Sequence, residues 1–156
     1  MREIERIIVS ALIWSKDGKL LMGRKDPQGG GVYPDAWHIP GGGIKDGETY
    51  FQALEREVRE EVGIDVSKSS VIPVNIIRKG VAEKTLKETG ERVLCKMDFN
   101  YFEVYSQQNA DEIEIELNDD LVEAKWFTKI ELLTVQQIPG GKEFFEQMGY
   151  LPKEII

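Results

Sequence analysis

Residues 42–64 read GGIKDGETYFQALEREVREEVGI, which predicts a glycine-rich loop followed by an amphipathic helix. Apolar residues recur at spacings of three and four, as one helical face requires: Phe51, Leu54, Val58 and Val62. Thr49 precedes this run, and Gly63 ends it as a typical C-terminal stop. We therefore predict a helix over Glu48–Gly63 whose apolar residues pack against a sheet.

The same helix carries a cluster of carboxylates. Glu57, Glu60 and Glu61 fall within an arc of roughly 100° beside the apolar residues. From Glu48 to Glu61 there are five Glu against two Arg, so negative charge is in excess. Clustered carboxylates suit Mg²⁺ or Mn²⁺. The alternative is an acidic helix face that is merely solvated, which is the usual origin of charge runs.

Two neighbouring features favour the metal site. Gly41–Gly43 precede the helix, and bare backbone there can approach a ligand closely. Arg56 lies on the flank of the acidic cluster, where it could pair with Glu48 and hold the loop against the helix.

The segment resembles the Nudix box, Gly-x5-Glu-x7-Arg-Glu-U-x-Glu-Glu-x-Gly-U, in which U is an aliphatic residue. Every specified position is filled, by Gly42, Glu48, Arg56, Glu57, Val58, Glu60, Glu61, Gly63 and Ile64. Nine constrained positions make the resemblance specific. Outside the box the resemblance is looser and rests on an apolar first strand, Trp37–Gly43, and residues 124–127 before a final helix.

The resemblance implies an α/β fold, an α/β/α sandwich with a mixed sheet, in one domain over residues 1–156. It implies an enzyme that hydrolyses a pyrophosphate bond in a nucleoside diphosphate linked to another group. Mg²⁺, or Mn²⁺ as a substitute, would be held by Glu57, Glu60, Glu61 and the Gly41 carbonyl. Arg56 and Glu48 would form a salt bridge that supports these ligands.

The general base is open in the family, because it is either a box glutamate or an acid on a distant loop. Glu60 is the first candidate. The alternatives in this chain are Glu112, Glu116, Asp119, Asp120 and Glu123.

The rest of the chain predicts the other elements of a mixed sheet with helices packed on it. Predicted strands are Ile7–Trp14 and Leu20–Arg24 as a hairpin, a short piece at Trp37–Pro40, Val71–Arg78, Arg92–Tyr105 and Leu121–Phe127. Pro40 and the three glycines after it exclude a helix there. Charged segments at Lys84–Glu91 and Gln107–Asp120 are predicted to connect strands. Thr128–Gln137, capped by Thr128, and Gly141–Met148 are predicted helices.

Composition narrows the functional classes. The net charge of −8 over 156 residues argues against nucleic acid as a partner. No run approaches the ~20 apolar residues of a membrane span, so a cytoplasmic protein is expected. Cys95 is the only cysteine and His38 the only histidine, which argues against an internal disulfide and a histidine-based zinc site.

Several other residues could contact a nucleotide, although each has a more ordinary role. Trp37, Tyr33 and Phe102 could stack on a base, but aromatic residues at strand spacing are more often core. Arg24, Lys25 and Lys45 could touch phosphates, but such residues usually serve solubility. His38 could reach the cleft, although a structural role is the more common one. Cys95 is expected to be a small core residue.

The substrate is less constrained than the reaction. Lys79–Ala82 lacks the proline and tyrosine that mark the ADP-ribose and diadenosine polyphosphate branches, which favours nucleoside triphosphates, including oxidised ones. Nucleotide sugars and ADP-ribose remain alternatives. A catalytically inactive nucleotide-binding regulator is a second hypothesis, and isoprenoid diphosphate isomerisation is a third that Cys95, far downstream of the box, does not favour. Homodimers are common in the family, and no feature of this sequence decides the oligomeric state.

Overall fold

The structure is a computed structural model that describes residues 1–26, 35–118 and 121–151. Within these ranges the strands are β1 (Arg2–Trp14), β2 (Leu20–Lys25), β3 (Gly41–Gly43), β4 (Ser70–Pro73), β5 (Arg78–Thr85), β6 (Arg92–Tyr105) and β7 (Leu121–Phe127). The α-helices described are α1 (Tyr50–Val62) and α2 (Gly141–Gln147). Single 3₁₀ turns occur at Val66–Lys68, Ala110–Glu112 and Glu131–Leu133.

The described strands form one mixed sheet. The central order is β4-β6-β1-β2-β7, with β3 paired to β1 and β5 paired to β6. Strands β1 and β6 run parallel in register from Arg2 opposite Val93 to Trp14 opposite Tyr105, whereas the other pairs are antiparallel. This confirms the predicted mixed α/β architecture.

Each face of the sheet is covered by one helix. Because side chains alternate along a strand, β1 sends Val9, Ala11 and Ile13 to one face and Leu12 and Trp14 to the other. The first face, here called the α1 face, packs on Ala53, Leu54, Val58 and Val62 of α1. The second, the α2 face, packs on Phe144 and Phe145 of α2, together with Leu132 and Leu151.

Several predicted elements are confirmed. Strands β6 and β7 have the predicted bounds, β1 and β2 form the predicted hairpin, and Gly41–Gly43 is a strand rather than a helix. Cys95 is a buried free thiol, and Phe102 lies in the core of the α1 face. No helix in the described ranges is long and apolar enough to cross a membrane.

The region before β6 differs from the prediction. The single strand predicted at Val71–Arg78 is two strands, β4 and β5, separated by Val74–Ile77, and β5 extends into the segment predicted as a connection from Lys84 onwards. β5 is rich in polar residues and exposes much of its surface. Its strand conformation comes from the antiparallel ladder with β6, in which long-range pairing overrides local composition.

The helix predicted at Thr128–Gln137 is also wrong, because only the 3₁₀ turn Glu131–Leu133 forms. Ile130, Thr134 and Val135 are β-branched and lower helix propensity on both sides of that turn. Thr128 still acts as a cap, since its hydroxyl accepts from the Glu131 N–H at 3.2 Å.

The prediction that Phe51 lies on the buried face of α1 is also wrong. Its helical angle is suitable, yet the residue is 42% exposed, while Ala53 is fully buried. Phe51 lies in the first turn, and the core cluster on this face begins only at Ala53 and Leu54. Helical periodicity gives the direction of a side chain but not whether a partner lies opposite it.

Candidate active site

Helix α1 has well-defined ends. The Thr49 hydroxyl accepts from the Gln52 backbone N–H at 3.1 Å, and the Gln52 side-chain oxygen Oε1 accepts from the Thr49 N–H at 2.9 Å. This reciprocal capping box satisfies two backbone donors at the start of the helix. At the other end Gly63 has φ 74°, a left-handed conformation that glycine adopts without steric cost. The carboxylates between these caps are therefore held in one register.

Arg56 links the helix to the preceding loop. Its Nε and Nη2 donate to the two carboxylate oxygens of Glu48 at 2.7 and 2.8 Å, and Nη2 also donates to the Gly43 carbonyl at 3.0 Å. The hydrogen bonds from Arg56 lower the pKa of Glu48 to about 2, and the pKa of Arg56 is raised in turn. This is the bidentate ion pair that the resemblance implies, a geometry that fixes both orientation and distance.

The three box glutamates occupy different environments around this ion pair. Glu57 and Glu60 both accept from Nη1 of Arg56, at 2.9 and 3.3 Å. The Glu57 side chain is 13% exposed and that of Glu60 is 44% exposed. Glu61 is buried, with 7% exposure, and accepts from the Gly41 N–H at 3.3 Å. The structure thus brings Glu57 beside Gly42 and Glu61 beside Gly41, whereas Glu60 contacts Arg56 and remains exposed.

The glycines of β3 allow this close approach. A Cβ on Gly42 would overlap the Glu57 carboxylate, and a Cβ on Gly41 would overlap the Val9 carbonyl oxygen. The two positions face opposite sides of β3 because side chains alternate along a strand. Gly42 therefore leaves room for a carboxylate, whereas Gly41 leaves room for the neighbouring strand β1.

The donor set fits a hard divalent cation by its chemistry. Side chains of Glu48, Glu57 and Glu60 lie around one guanidinium, that of Arg56, and Glu61 accepts from the nearby Gly41 N–H, so negative charge is in excess. All the candidate ligands are oxygen atoms, as Mg²⁺ and Mn²⁺ prefer. In the described ranges, no three acidic, histidine or cysteine side chains converge in a geometry ready to hold a metal ion. The carboxylates of Glu57 and Glu60 instead accept hydrogen bonds from Arg56.

The candidate general bases lie in several places. Glu60 is the most exposed of the box glutamates. The Glu116 N–H donates to the Val62 carbonyl at 2.9 Å, which places this loop residue at the C-terminal end of α1. Glu112 accepts from the Asn109 N–H at 2.9 Å in a 3₁₀ turn. Asp119 and Asp120 lie outside the described residues.

Glu123 is positioned on the other side of the sheet from the box glutamates. Its carboxylate pairs with Arg24 at 2.8 Å. Met22 of β2 belongs to the α2 face, and Arg24, two residues later on the same strand, projects to that face as well. Glu123 is opposite Arg24 in the pairing of β2 with β7, so it lies on the α2 face too. The Arg24 guanidinium also lies over the Trp37 ring at 5.9 Å.

The α2 face contains a cavity of about 320 Å³, within the range typical of small-molecule sites. It is lined mainly by apolar and aromatic residues, among them Met22, Trp37, Ile39, Met97, Phe99, Tyr101, Phe144 and Phe145. Arg78 also lines it, donating to the Gly140 carbonyl at 3.0 Å with its guanidinium 5.3 Å from the Phe144 ring centre. The sequence prediction missed this cavity, although the alternation of Met97, Phe99 and Tyr101 along β6 was a usable signal.

Of the residues considered for base stacking or cleft contact, Trp37 and His38 line this cavity. Trp37 also packs edge-on against Phe127 at 5.0 Å. His38 exchanges backbone hydrogen bonds with Gly23, so it has a structural role as well. Tyr33 lies outside the described residues.

Comparison with known proteins gives the family. The model of the NUDIX domain matches residues 5–148. The nucleoside triphosphatase NudI of Enterobacter sp. (strain 638) is 30% identical over 148 residues, which cover 94% of this chain and 99% of that protein.

Solved structures agree on the fold. The E. coli dihydroneopterin triphosphate pyrophosphohydrolase superposes with a TM-score of 0.68 at 21% identity, covering 90% of this chain and 92% of that one. A MutT protein from Methanosarcina mazei Go1 gives a TM-score of 0.64 at 24% identity, covering 96% of each chain. The intact box, the family match and the full-length relative lead to one conclusion: this chain belongs to the NUDIX family and is a pyrophosphohydrolase.

Proposed function

We propose that this protein hydrolyses a pyrophosphate bond of a nucleoside triphosphate, with Mg²⁺ held by Glu57, Glu60, Glu61 and the Gly41 carbonyl. Mn²⁺ is a chemically reasonable substitute because it prefers the same oxygen ligands. The observation that carries the proposal is the short connection between the cavity and the carboxylates. Ile39 lines the cavity, and Gly41, two residues later, donates its N–H to the Glu61 carboxylate at 3.3 Å.

This connection matches the dimensions of a nucleotide. Two extended residues span about 7 Å, so a base in the cavity would have its phosphates beside Gly41–Gly43. The aromatic lining of the cavity suits a planar base, and the Glu57 carboxylate, which would hold the metal, lies against Gly42 of β3.

The nature of the nucleotide is supported by two further observations. Lys79–Ala82, the segment in which other Nudix branches carry substrate markers, lines the cavity and is therefore placed to contact a base or its substituents. The relative from Enterobacter, similar over nearly the whole chain, is a nucleoside triphosphatase. The absence of the ADP-ribose and diadenosine polyphosphate markers from this segment, together with the similarity to that relative, favours triphosphates over nucleotide sugars or ADP-ribose.

Different residues of the chain have different roles in the proposed reaction. A bound divalent cation supplies charge neutralisation and a lowered pKa for an attacking water. Arg56, held by Glu48, keeps the β3 loop and the carboxylate helix in one geometry. Glu60, the most exposed box glutamate, is our candidate to accept the water proton, because a base must be reachable from the substrate side.

Replacement of both Glu57 and Glu61 by Gln tests the metal assignment. We expect the double variant to lose at least about a hundredfold in kcat/KM for nucleoside triphosphates in Mg²⁺, because two charged ligands are neutralised. Glu55→Gln is the matched control, since Glu55 is on the same helix and lies 4.0 Å from Arg59. Retained turnover in the double variant would remove these residues from the metal site.

A panel of nucleoside triphosphates, nucleotide sugars and ADP-ribose, assayed for released phosphate or pyrophosphate and for nucleoside monophosphate, tests the substrate class. A triphosphate preference is expected. Tight calorimetric binding of a nucleotide without turnover, in saturating Mg²⁺ or Mn²⁺, would instead support the non-catalytic regulator.

A further inference from the structure

Two basic residues lie beyond the cavity on the α2 face of the sheet. Arg6 of β1 is opposite Met97 of β6, and Met97 is opposite Gly80 of β5. Met97 and Gly80 both line the cavity. Residues in register project to the same face, so Arg6 belongs to the cavity side, and Lys84, four residues after Gly80 on β5, projects there too.

Arg6 also borders the glycine strand β3. A Cβ on Gly43 would overlap Nη2 of Arg6, just as a Cβ on Gly42 would overlap the Glu57 carboxylate. These two contacts lie on opposite sides of β3. The strand is therefore flanked by carboxylates on the α1 face and by a guanidinium on the α2 face.

In the part of the chain that the structure describes, neither Arg6 nor Lys84 has an acidic side chain at ion-pair distance. Arg2, on the same strand and the same face, contrasts with them because it pairs with Glu91 at 2.7 Å. Although Lys84 is exposed as a residue, partial desolvation lowers the pKa of its ammonium, and the nearby Arg6 charge lowers it further.

We propose that Arg6, assisted by Lys84, binds the polyphosphate tail of the substrate from the α2 face while the α1 carboxylates act from the other side of β3. The inference rests on the proposed function, and it adds residues that select for the length of the phosphate chain. An anion offsets the repulsion between two neighbouring cations. The planar guanidinium of Arg6 suits paired phosphate oxygens, and Lys84 adds a point charge.

Calorimetric titration with inorganic tripolyphosphate in EDTA-containing buffer tests this anion site without a metal ion. We expect Arg6→Gln to weaken tripolyphosphate binding roughly tenfold, because a charge-assisted hydrogen bond is lost. Lys84→Gln should weaken it less, and Arg6→Lys should restore part of the affinity. Arg2→Gln is the matched control on the same strand and face, and it should bind as the wild type does.

Steady-state kinetics with the triphosphate and diphosphate of one nucleoside then separate the two proposals. Arg6→Gln should raise KM for the triphosphate more than for the diphosphate. If no nucleotide is hydrolysed but Arg6→Gln still weakens tripolyphosphate binding, the anion site stands and the proposed reaction fails. A wild type that binds no tripolyphosphate, or an Arg6→Gln variant that binds it as Arg2→Gln does, would overturn the inference.

Discussion

The two faces of the sheet differ in how their functional residues are supplied. On the α1 face, Glu57, Glu60 and Glu61 come from one helix and are fixed by Arg56 and the adjoining loop. On the α2 face, the cavity and its basic border are built from β1, β5, β6 and α2, which are distant in sequence. A local motif can therefore encode a reaction, whereas the surface that we propose to contact the rest of the substrate depends on the assembled sheet.

The largest expected effect concerns the packing that holds the α1 face together. Leu54→Ala removes a fully buried side chain and should lower the free energy of unfolding by about 2–5 kcal/mol. Phe51 lies one turn earlier on the same helix and is exposed, so Phe51→Ala should change the free energy of unfolding by no more than about 0.5 kcal/mol. Urea denaturation of both variants measures the difference. Similar losses would mean that Phe51 is part of the core after all.

A smaller effect is expected from filling the cavity on the α2 face. Ala82 lines the cavity, and Ala82→Leu should raise KM for nucleoside triphosphates roughly tenfold, since the added bulk competes with the base. Tripolyphosphate affinity should be unchanged, because that probe has no base. Val122→Leu is the control, because Val122 lies on β7 outside the cavity lining and is 47% exposed. Equal KM values for the two variants would argue against a base in this cavity.

The smallest effect concerns the ion pair that connects the helix to β3. Hydrogen bonds from Arg56 lower the pKa of Glu48 to about 2, so the native state favours the charged carboxylate. A lowered folded-state pKa stabilises the protein above the ordinary carboxyl pKa of about 4.3, and the contribution disappears as pH falls towards 2. Glu48→Gln should therefore be less stable than the wild type at neutral pH, with a difference that closes in acid.

Urea denaturation of the wild type and Glu48→Gln across this pH range tests the ion pair. Glu55→Gln provides a carboxylate control on the exposed side of α1. A stability difference that does not depend on pH would indicate that the ion pair is not its cause.

Local sequence was sufficient for elements whose conformation depends on neighbours in the chain. The ends of α1 follow from Thr49 and Gly63, and the bounds of β6 follow from alternation in Arg92–Tyr105. It was insufficient for β5, whose polar residues form a strand only by pairing with β6. The local sequence also gave a wrong prediction at Thr128–Gln137. There the low helix propensity of the β-branched residues around the 3₁₀ turn had a larger effect than the favourable Thr128 cap.

By itself, the sequence determined the reaction class through its complete Nudix box, and it determined that Glu57, Glu60 and Glu61 lie together on one helix, because that spacing follows from 3.6 residues per turn. It also determined the partner of Arg56, because Glu48 lies within reach across the loop. Only the tertiary structure decided that Glu61 is buried beneath Gly41 and that Phe51 is exposed. The tertiary structure also decided that Arg6 lies beside Gly43 on the cavity side. These properties depend on which strands become neighbours, and strand pairing is set by long-range burial and register that no local spacing contains.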